Sequence, residues 1–392
     1  MTDYSKLVKE YGTPFYLFDI DELQDRLKYL RSSLNKDLDL CYAVKANTFI
    51  MGEANDYVDR FEVCSPGEYE VCKKLGVPMS KLVISGVYKT PEVIEEMMTN
   101  HEDMGIYTAE SVEQFILLND LSTKLKRKIN VLLRLTSGNQ FGMNEEEVEK
   151  IFMNHDDYKY ITLKGIEYFS GTQKHSVKRL TKEVDYLREF VDVLENKAKI
   201  TIDEIEFGTG FPVYYFQSDE FDEKGFFEEF NELIRIISSK YKVTLEIGRS
   251  IASSCGTYVT RVVDKKTNKV GNFAILDGGM NHLVYYGQTM AMKHPHFDLL
   301  PKRDMEKEEK WNLCGSLCTI NDIIVKDLNV PDLSIGDVFI FKNTGAYCMS
   351  EGISLFLSRD LPKVIMKKGI NFELVRDSLP THVLNTPNYK GE

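Results

Sequence analysis

The chain has 392 residues, of which 43% are apolar and 28% are charged, as is ordinary for a globular protein with room for more than one domain. Its formal net charge of -12 argues against a nucleic-acid-binding surface, which needs clustered cations. No segment approaches the roughly 20 apolar residues that span a bilayer. The N-terminus has no apolar stretch of signal-peptide length, and the cysteines are scattered, so we expect a cytoplasmic protein with no membrane contact.

The first two-thirds of the chain alternate between strand-like and helical patterns. The apolar strand runs are LCYAVKA, FEVCS, KLVISG, MGIYTA, INVLLRL, LKGIEYF, DEIEFG and VTLEIG. The longest helical segments between runs are 175–199 and 221–241. Eight strands that alternate with helices predict an α/β fold, a (β/α)₈ TIM barrel over residues 20–250. A doubly wound open sheet is the alternative.

After Arg249 the pattern changes to strands separated by turn residues. The strand-like runs are CGTYVTRVVDKK, VGNFAILDGG, GDVFIFKN and PKVIMKKGINFELVR. The last run reads as a hairpin with Gly369 in its turn. We therefore predict a C-terminal all-β domain over 251–392, joined by a strand from residues 1–19.

Unusual residues stand where the predicted barrel strands end, which is where barrels carry their functional groups. They are Lys45 after the first strand, Gly208, Thr209 and Gly210 after the seventh, and Glu246, Gly248 and Arg249 after the eighth. Glycine backbone N–H groups and a guanidinium suit a phosphate. A lysine that faces such a site can hold a cofactor aldehyde as a Schiff base, but by position alone Lys45 could equally snorkel to the rim.

Seven motifs along nearly the whole chain point the same way. They are LCYAVKAN, FEVCSPGE, EFGTGF, LEIGRS, LDGGMN, GSLCTIND and NTGAY. In this order they resemble the motifs of the fold-type III decarboxylases, which use pyridoxal 5'-phosphate and include the diaminopimelate, ornithine and arginine decarboxylases. The resemblance implies the alanine racemase-like fold, a barrel with a C-terminal β domain.

The resemblance also implies residue roles. Lys45 would bind the cofactor, and Glu246 would pair with its pyridine nitrogen. In the alanine racemases an arginine takes that place, so Glu246 favours decarboxylation. The phosphate would be held by Gly208, Thr209, Gly210, Gly248 and Arg249, with Tyr347 from the β domain.

The family resemblance further implies a homodimer with shared active sites. Cys318 resembles the cysteine that approaches the cofactor from the second subunit and helps to protonate the carbanion. Asp322 matches the aspartate that follows it. Cys314 and Cys318 have no second Cys or His pair at zinc spacing, so we predict no metal site.

Departures from the family pattern concern the substrate. The diaminopimelate enzymes have a glutamate where this chain has Thr319, and an arginine where it has Tyr285. Both charged contacts with the distal end of the substrate are therefore missing, which argues against free diaminopimelate. On the cofactor face, Glu167 and Phe169 replace two histidines. Phe169 can still stack on the ring, and Thr172 keeps the hydroxyl of a serine.

The Cys-Thr pair and the aromatic-GTQ pattern resemble one branch, the butirosin-pathway decarboxylases that act on a glutamyl group carried by an acyl carrier protein. We therefore expect a pyridoxal-phosphate decarboxylase for an amino acid or a modified or carrier-linked amino acid. The alternatives are a diaminopimelate decarboxylase with an altered pocket, an amino-acid racemase, and a non-catalytic pyridoxal-phosphate-binding protein.

Overall fold

The computed structural model describes residues 2–303 and 308–387. The helices are α1 (Tyr4–Tyr11), α2 (Ile20–Ser33), α3 (Met51–Ala54), α4 (Pro66–Lys74), α5 (Pro91–Asn100), α6 (Val112–Leu125), α7 (Glu145–Met153), α8 (Val177–Ala198), α9 (Glu223–Ser238), α10 (Arg249–Ala252) and α11 (His382–Asn385). The strands up to residue 250 are β1 (Phe15–Asp19), β2 (Leu38–Ala43), β3 (Arg60–Val63), β4 (Leu82–Ile84), β5 (Ile106–Ala109), β6 (Ile129–Leu135), β7 (Ile161–Phe169), β8 (Glu204–Gly208) and β9 (Lys242–Ile247). The later strands are β10 (Gly256–Asn268), β11 (Gly271–Leu276), β12 (Phe297–Leu300), β13 (Glu308–Cys314), β14 (Ile323–Pro331), β15 (Val338–Phe341), β16 (Lys363–Lys368) and β17 (Asn371–Arg376).

Strands β2 to β9 form a closed parallel barrel in chain order. The barrel closes between β2 and β9, where Cys41 lies opposite Glu246. Helices follow the strands because their apolar residues recur at helical spacing. In α8, for example, Leu180, Val184, Leu187, Val191 and Leu194 are all buried. The predicted (β/α)₈ barrel is confirmed, and closure excludes the open sheet.

The barrel interior holds both an apolar cluster and a buried ion pair. The cluster consists of Cys41, Val83, Ile106 and Leu132, one from each of four strands. Glu204 accepts a hydrogen bond from Arg60 Nη2 at 2.9 Å and another from Thr244 Oγ1 at 2.7 Å. These three polar side chains are thus tied to one another, as burial requires.

The remaining strands form one mixed sheet, in the order β14-β13-β11-β10-β1-β16-β17, with β15 paired to both β10 and β12. Its core includes Leu7, Phe15, Leu17, Val259, Val338, Ile340 and Ile365. The predicted hairpin is present, and Gly369 has a φ of 59° in its turn. The predicted β domain is confirmed as a sheet.

Residues 1–19 differ from the predicted strand. Only β1 is extended, and it pairs with β10 and β16 in the sheet. It is preceded by the helix α1, whose first turn is capped because Asp3 Oδ1 accepts a hydrogen bond from Lys6 N at 3.1 Å. The predicted strand did not include this helix or its cap.

Spatial contacts divide the chain into two compact units. The barrel unit is Arg26–Pro212 with Asp222–Ile251, and the sheet unit is the rest of the described chain, including Val213–Phe221. The predicted domain bounds, 20–250 and 251–392, stay a prediction. Among the described residues, no helix is long and apolar enough to cross a membrane.

Candidate active site

Lys45 lies just beyond the end of β2, in a 3₁₀ turn formed by Val44–Ala46. Asn47, which follows this turn, accepts two hydrogen bonds that fix it. Tyr42 Oη donates to Asn47 O at 2.9 Å, and Phe49 N donates to Asn47 Oδ1 at 2.9 Å. Lys45 was predicted to end the first barrel strand. In the structure that strand, β2, ends at Ala43, two residues before Lys45.

The ammonium of Lys45 meets two carboxylates from neighbouring strands. Its Nζ donates to Glu62 Oε2 at 2.6 Å and lies 3.4 Å from Glu246 Oε1. The side chains of Glu62 and Glu246 are 2% and 8% exposed, whereas that of Lys45 is 40% exposed. The carboxylates are therefore sealed in the barrel, and the amine is the accessible part of the cluster.

The two carboxylates differ in protonation. Burial acts to raise the pKa of Glu62, but the charge of Lys45 and its hydrogen bond outweigh burial, so this pKa lies below its usual value. Burial and the negative charge of Glu62 together raise the pKa of Glu246 to about 8. At neutral pH, Glu62 is thus the charged partner of Lys45, and Glu246 holds a proton.

A second buried network adjoins the first. Arg134 Nη1 lies 3.1 Å from Glu110 Oε2 and 3.4 Å from Glu167 Oε1. Burial raises the pKa of Glu167, and Arg134 opposes that shift. Oxygens of Glu62, Glu167 and Glu246 all lie within 4.8 Å of one another. Lys45 and Arg134 lie beside these carboxyl groups. The predicted absence of a metal site stays a prediction.

The loop after β8 is shaped by close approaches that only glycine permits. A Cβ on Gly208 would lie 2.1 Å from Phe169 Cδ2. A Cβ on Gly210 would lie 2.2 Å from the carbonyl oxygen of Gly171, and Gly210 has a φ of 59°. Between them, Thr209 Oγ1 donates to Glu246 O at 3.4 Å. The loop is thus packed closely against the loop after β7, next to the Lys45 cluster, and its predicted role as a phosphate cradle stays a prediction.

The other candidate residues of the barrel unit lie at strand ends as predicted. Phe169 is the last residue of β7 and is half-buried, and Thr172 follows in the next loop. Gly248 follows β9, and Arg249, which is 8% exposed, begins α10. The structure therefore gathers these residues around one end of the barrel strands.

In the sheet unit, Cys318, Thr319 and Asp322 share one turn between β13 and β14. Cys318 is exposed. The carboxylate of Asp322 accepts hydrogen bonds from Met280 N at 2.7 Å and Leu317 N at 2.8 Å. Because both carboxylate oxygens accept hydrogen bonds from backbone N–H groups, Asp322 stabilises the conformation of the turn that carries Cys318. Its predicted contact with substrate stays a prediction.

Two tyrosines of the sheet unit were also singled out from the sequence. Tyr285 is 4% exposed, and its hydroxyl donates to Lys342 O at 2.7 Å. Its hydroxyl is therefore engaged within the sheet unit. Tyr347 has a left-handed φ of 64° in the turn after β15. The predicted roles of both tyrosines stay predictions.

Several buried polar residues of the barrel were not predicted from the sequence. Glu62 had a usable signal, because a charge inside the apolar run FEV is as anomalous as the lysine in LCYAVKA. Arg134, in the run INVLLRL, had the same signal. Lys174 had none, since it stands in the polar stretch GTQKHS, yet its side chain is fully buried.

Comparison with known proteins gives a consistent result. Residues 15–345 match the family described as pyridoxal-dependent decarboxylase, C-terminal sheet domain. The chain is 27% identical to the L-glutamyl-[BtrI acyl-carrier protein] decarboxylase of Niallia circulans, over 95% of this chain and 93% of the relative. It is 28% identical to the 2-[(L-alanin-3-ylcarbamoyl)methyl]-2-hydroxybutanedioate decarboxylase of Staphylococcus aureus, over 89% of this chain and 93% of the relative.

Among solved structures, diaminopimelate decarboxylase from Helicobacter pylori, complexed with L-lysine, is similar in fold. The TM-score is 0.86 at 21% identity, over 97% of this chain and 98% of the other. The likeness extends over both the barrel and the sheet, so the architecture described above is that of a known fold.

Proposed function

The chain belongs to the family of pyridoxal-dependent decarboxylases, and from that premise we propose how its residues divide the work and what kind of substrate it takes. It is a carboxy-lyase that uses pyridoxal 5'-phosphate to remove the α-carboxylate of an amino acid or of a modified amino acid. This makes the racemase and the non-catalytic binding protein the less favoured alternatives.

The residues at the barrel mouth fit the cofactor. An accessible amine stands beside buried carboxylates, and a cradle that no Cβ could enter lies next to it. When bound, pyridoxal phosphate supplies an electron sink for the pair released as CO₂ leaves. The amine of Lys45 binds the aldehyde of the cofactor, and Glu62, at 2.6 Å, is placed to take the proton that the amine must lose.

The other barrel residues orient the cofactor in this proposal. Glu246 pairs with the pyridine nitrogen, and the proton that it holds below a pKa of about 8 is available to that nitrogen. Gly208, Thr209, Gly210, Gly248 and Arg249 bind the phosphate, joined by Tyr347. Phe169 stacks on the ring as a neutral aromatic, with the hydroxyl of Thr172 nearby.

The substrate we propose is an amino acid whose distal end is conjugated, as a thioester or an amide, and not a free zwitterion. One observation carries this proposal: the two positions that would read a charged distal end are the uncharged Thr319 and Tyr285, and the Tyr285 hydroxyl is already bonded to Lys342 O. The names of two relatives describe substrates of this kind, a carrier-linked glutamyl group and a carbamoyl-linked alanine.

We also propose a homodimer in which Cys318 of one subunit completes the site of the other and donates the proton that replaces CO₂. The turn that carries Cys318 is exposed, and its neighbour Ile320 is 91% exposed. Ile320 lines one cavity together with Met290, which is 75% exposed, and a group of exposed apolar side chains is typical of an interface between subunits.

The test is CO₂ release from a panel of purified substrates. Free diaminopimelate, ornithine, lysine, arginine and glutamate are compared with glutamyl-carrier-protein thioester and with amide-linked 2,3-diaminopropionate. We expect kcat/KM for one conjugated substrate to exceed that for each free amino acid by at least about 100-fold. Fastest turnover of diaminopimelate would instead establish the diaminopimelate decarboxylase alternative.

Lys45→Ala tests the cofactor assignment separately. This variant should lose the visible absorption of bound cofactor and all turnover. Lys164→Ala is the matched control, because its ion pair with Asp203, at 2.8 Å, lies on the same barrel but is exposed. Retention of covalently bound cofactor by Lys45→Ala would contradict the assignment.

A further inference from the structure

Lys174 is a buried lysine directly behind the glycine loop. Its Nζ donates to Gly208 O at 3.2 Å, and its backbone N donates to Gly210 O at 2.9 Å. The side chain is 0% exposed. One residue thus holds the carbonyl groups of both glycines of the cradle.

The partner of Lys174 is Glu183, on α8. Lys174 Nζ lies 2.6 Å from Glu183 Oε2, and Ser170 Oγ donates to Glu183 Oε1 at 2.5 Å. Arg179 Nε lies 3.5 Å from the same Oε1 atom. The loop after β7 is therefore fastened to α8 through the Glu183 carboxylate, and the loop after β8 is joined to it through Lys174. Arg179, the second cation at this carboxylate, is 53% exposed.

A purely structural role explains this arrangement poorly. A buried ion pair is often no more stabilising than well-packed apolar side chains of the same volume. Burial lowers the pKa of Lys174, and the attraction of Glu183 only partly offsets this. The Cε atom of Lys174 lies 3.1 Å from where a Cβ on Gly210 would stand, so the side chain also forms the back wall of the cradle.

We propose that Lys174 is a positioning residue for the cofactor phosphate. By fixing the two glycine carbonyls it sets the spacing of the loop N–H groups that would bind the anion. The inference rests on the proposed binding of phosphate by Gly208–Gly210. It predicts that Lys174 contributes to recognition of the phosphate group and little to the chemistry at Lys45.

The test compares ligands with and without the phosphate on the cofactor-free protein. Lys174→Met should raise the dissociation constants of pyridoxal phosphate and of inorganic phosphate by about tenfold or more, and that of pyridoxal by less than about twofold. With saturating pyridoxal phosphate, kcat should stay near the wild-type value. Lys164→Met removes an exposed lysine ion pair from the same barrel and should change none of these values.

Lys174→Met alone leaves the buried carboxylate of Glu183 without its lysine partner, which could destabilise the fold. The double variant Lys174→Met with Glu183→Gln removes both charges and so controls for this effect. It should lose the same preference for phosphorylated ligands. Equal weakening of pyridoxal and pyridoxal phosphate in the variants, or no weakening of either, would overturn the inference about Lys174. Failure of the wild-type protein to bind pyridoxal phosphate would overturn the proposed function itself.

Discussion

Glu246 holds a proton at neutral pH in the cofactor-free barrel because burial and Glu62 raise its pKa to about 8. The unfolded chain would release that proton near the ordinary carboxyl value of about 4.3. Between these two values the folded protein binds more protons than the unfolded one, so its stability falls as the pH rises. Glu246→Gln removes this titration.

We therefore expect the Tm of the cofactor-free wild type to fall between pH 5 and pH 9 by roughly 2–4 °C more than that of Glu246→Gln. Thermal melts monitored by circular dichroism give both curves. The control is Glu228→Gln, because Glu228 is 69% exposed on the same barrel unit. Parallel wild-type and Glu246→Gln curves would contradict the assigned protonation.

Thr319 is the residue that most directly tests substrate class. Thr319→Glu adds a carboxylate that suits a free distal amino group and disfavours a conjugated one. The ratio of kcat/KM for free diaminopimelate to that for the conjugated substrate should rise by about tenfold or more. Asn321→Asp is the matched control, because it adds the same charge to the exposed part of the same turn. An equal rise of the kcat/KM ratio in Asn321→Asp would show that any added negative charge on this turn has the effect, and not a carboxylate at position 319 in particular.

At the scale of elements, His282 links the segment after β11 to its neighbours in the sheet unit. The carbonyl oxygen of Asp360 can only accept, so Nε2–H of His282 donates to it at 2.8 Å, and in the neutral ring Nδ1 then accepts from the Tyr258 hydroxyl at 3.0 Å. Burial lowers the pKa of His282 to about 4. The unfolded chain takes up that proton near pH 6.5, so stability is lost as the pH falls from about 6.5 to 4.

His282→Gln should reduce this acid sensitivity. The wild-type free energy of unfolding should fall between pH 6.5 and 4.5 by about 1–3 kcal/mol more than that of the variant. Urea unfolding at the two pH values measures it, and His155→Gln, at a half-buried position in the short 3₁₀ turn after α7, serves as the control. If the two proteins lose equal stability, the neutral ring is not the cause.

Elements whose apolar residues form a regular pattern could be predicted from the sequence. Elements that are strands only because they pair with neighbouring strands could not. The eight barrel strands are buried on both sides and read as apolar runs. In β13, by contrast, Glu308, Glu309 and Lys310 are exposed and only Trp311 and Leu313 are buried. Its strand character comes from pairing with β11 and β14, which the sequence does not display.

The site divides in the same way. Lys45, Glu246 and the glycine loop stand in local motifs, so the sequence could name them. The buried partners Glu62, Arg134 and Lys174 gain their meaning only from strands and loops that the fold brings together. Roles carried over from a resemblance, such as those of Cys318 and Tyr347, stay predictions.

At the scale of the whole molecule, the proposed sharing of sites has a distinctive consequence. Lys45→Ala and Cys318→Ala should each be inactive alone as homodimers. When the two variants are mixed and allowed to exchange subunits, half of the dimers gain one intact site. Activity should therefore return to about a quarter of the wild-type value.

Each variant mixed with itself through the same exchange is the control. No recovery in a mixture that native mass spectrometry shows to contain heterodimers would place Lys45 and Cys318 in the same subunit's site. A monomer at working concentration would contradict the dimer altogether.

The ion pair between Lys45 and Glu62 also bears on side reactions of the amine. An ammonium is not a nucleophile, so pairing with Glu62 keeps the neutral, reactive form of Lys45 scarce. On the proposal above, a ligand whose phosphate is held by the glycine loop would remain beside Lys45 until the neutral amine forms. An aldehyde without a phosphate would more often leave first, so the ion pair would protect an accessible lysine from unrelated carbonyl compounds.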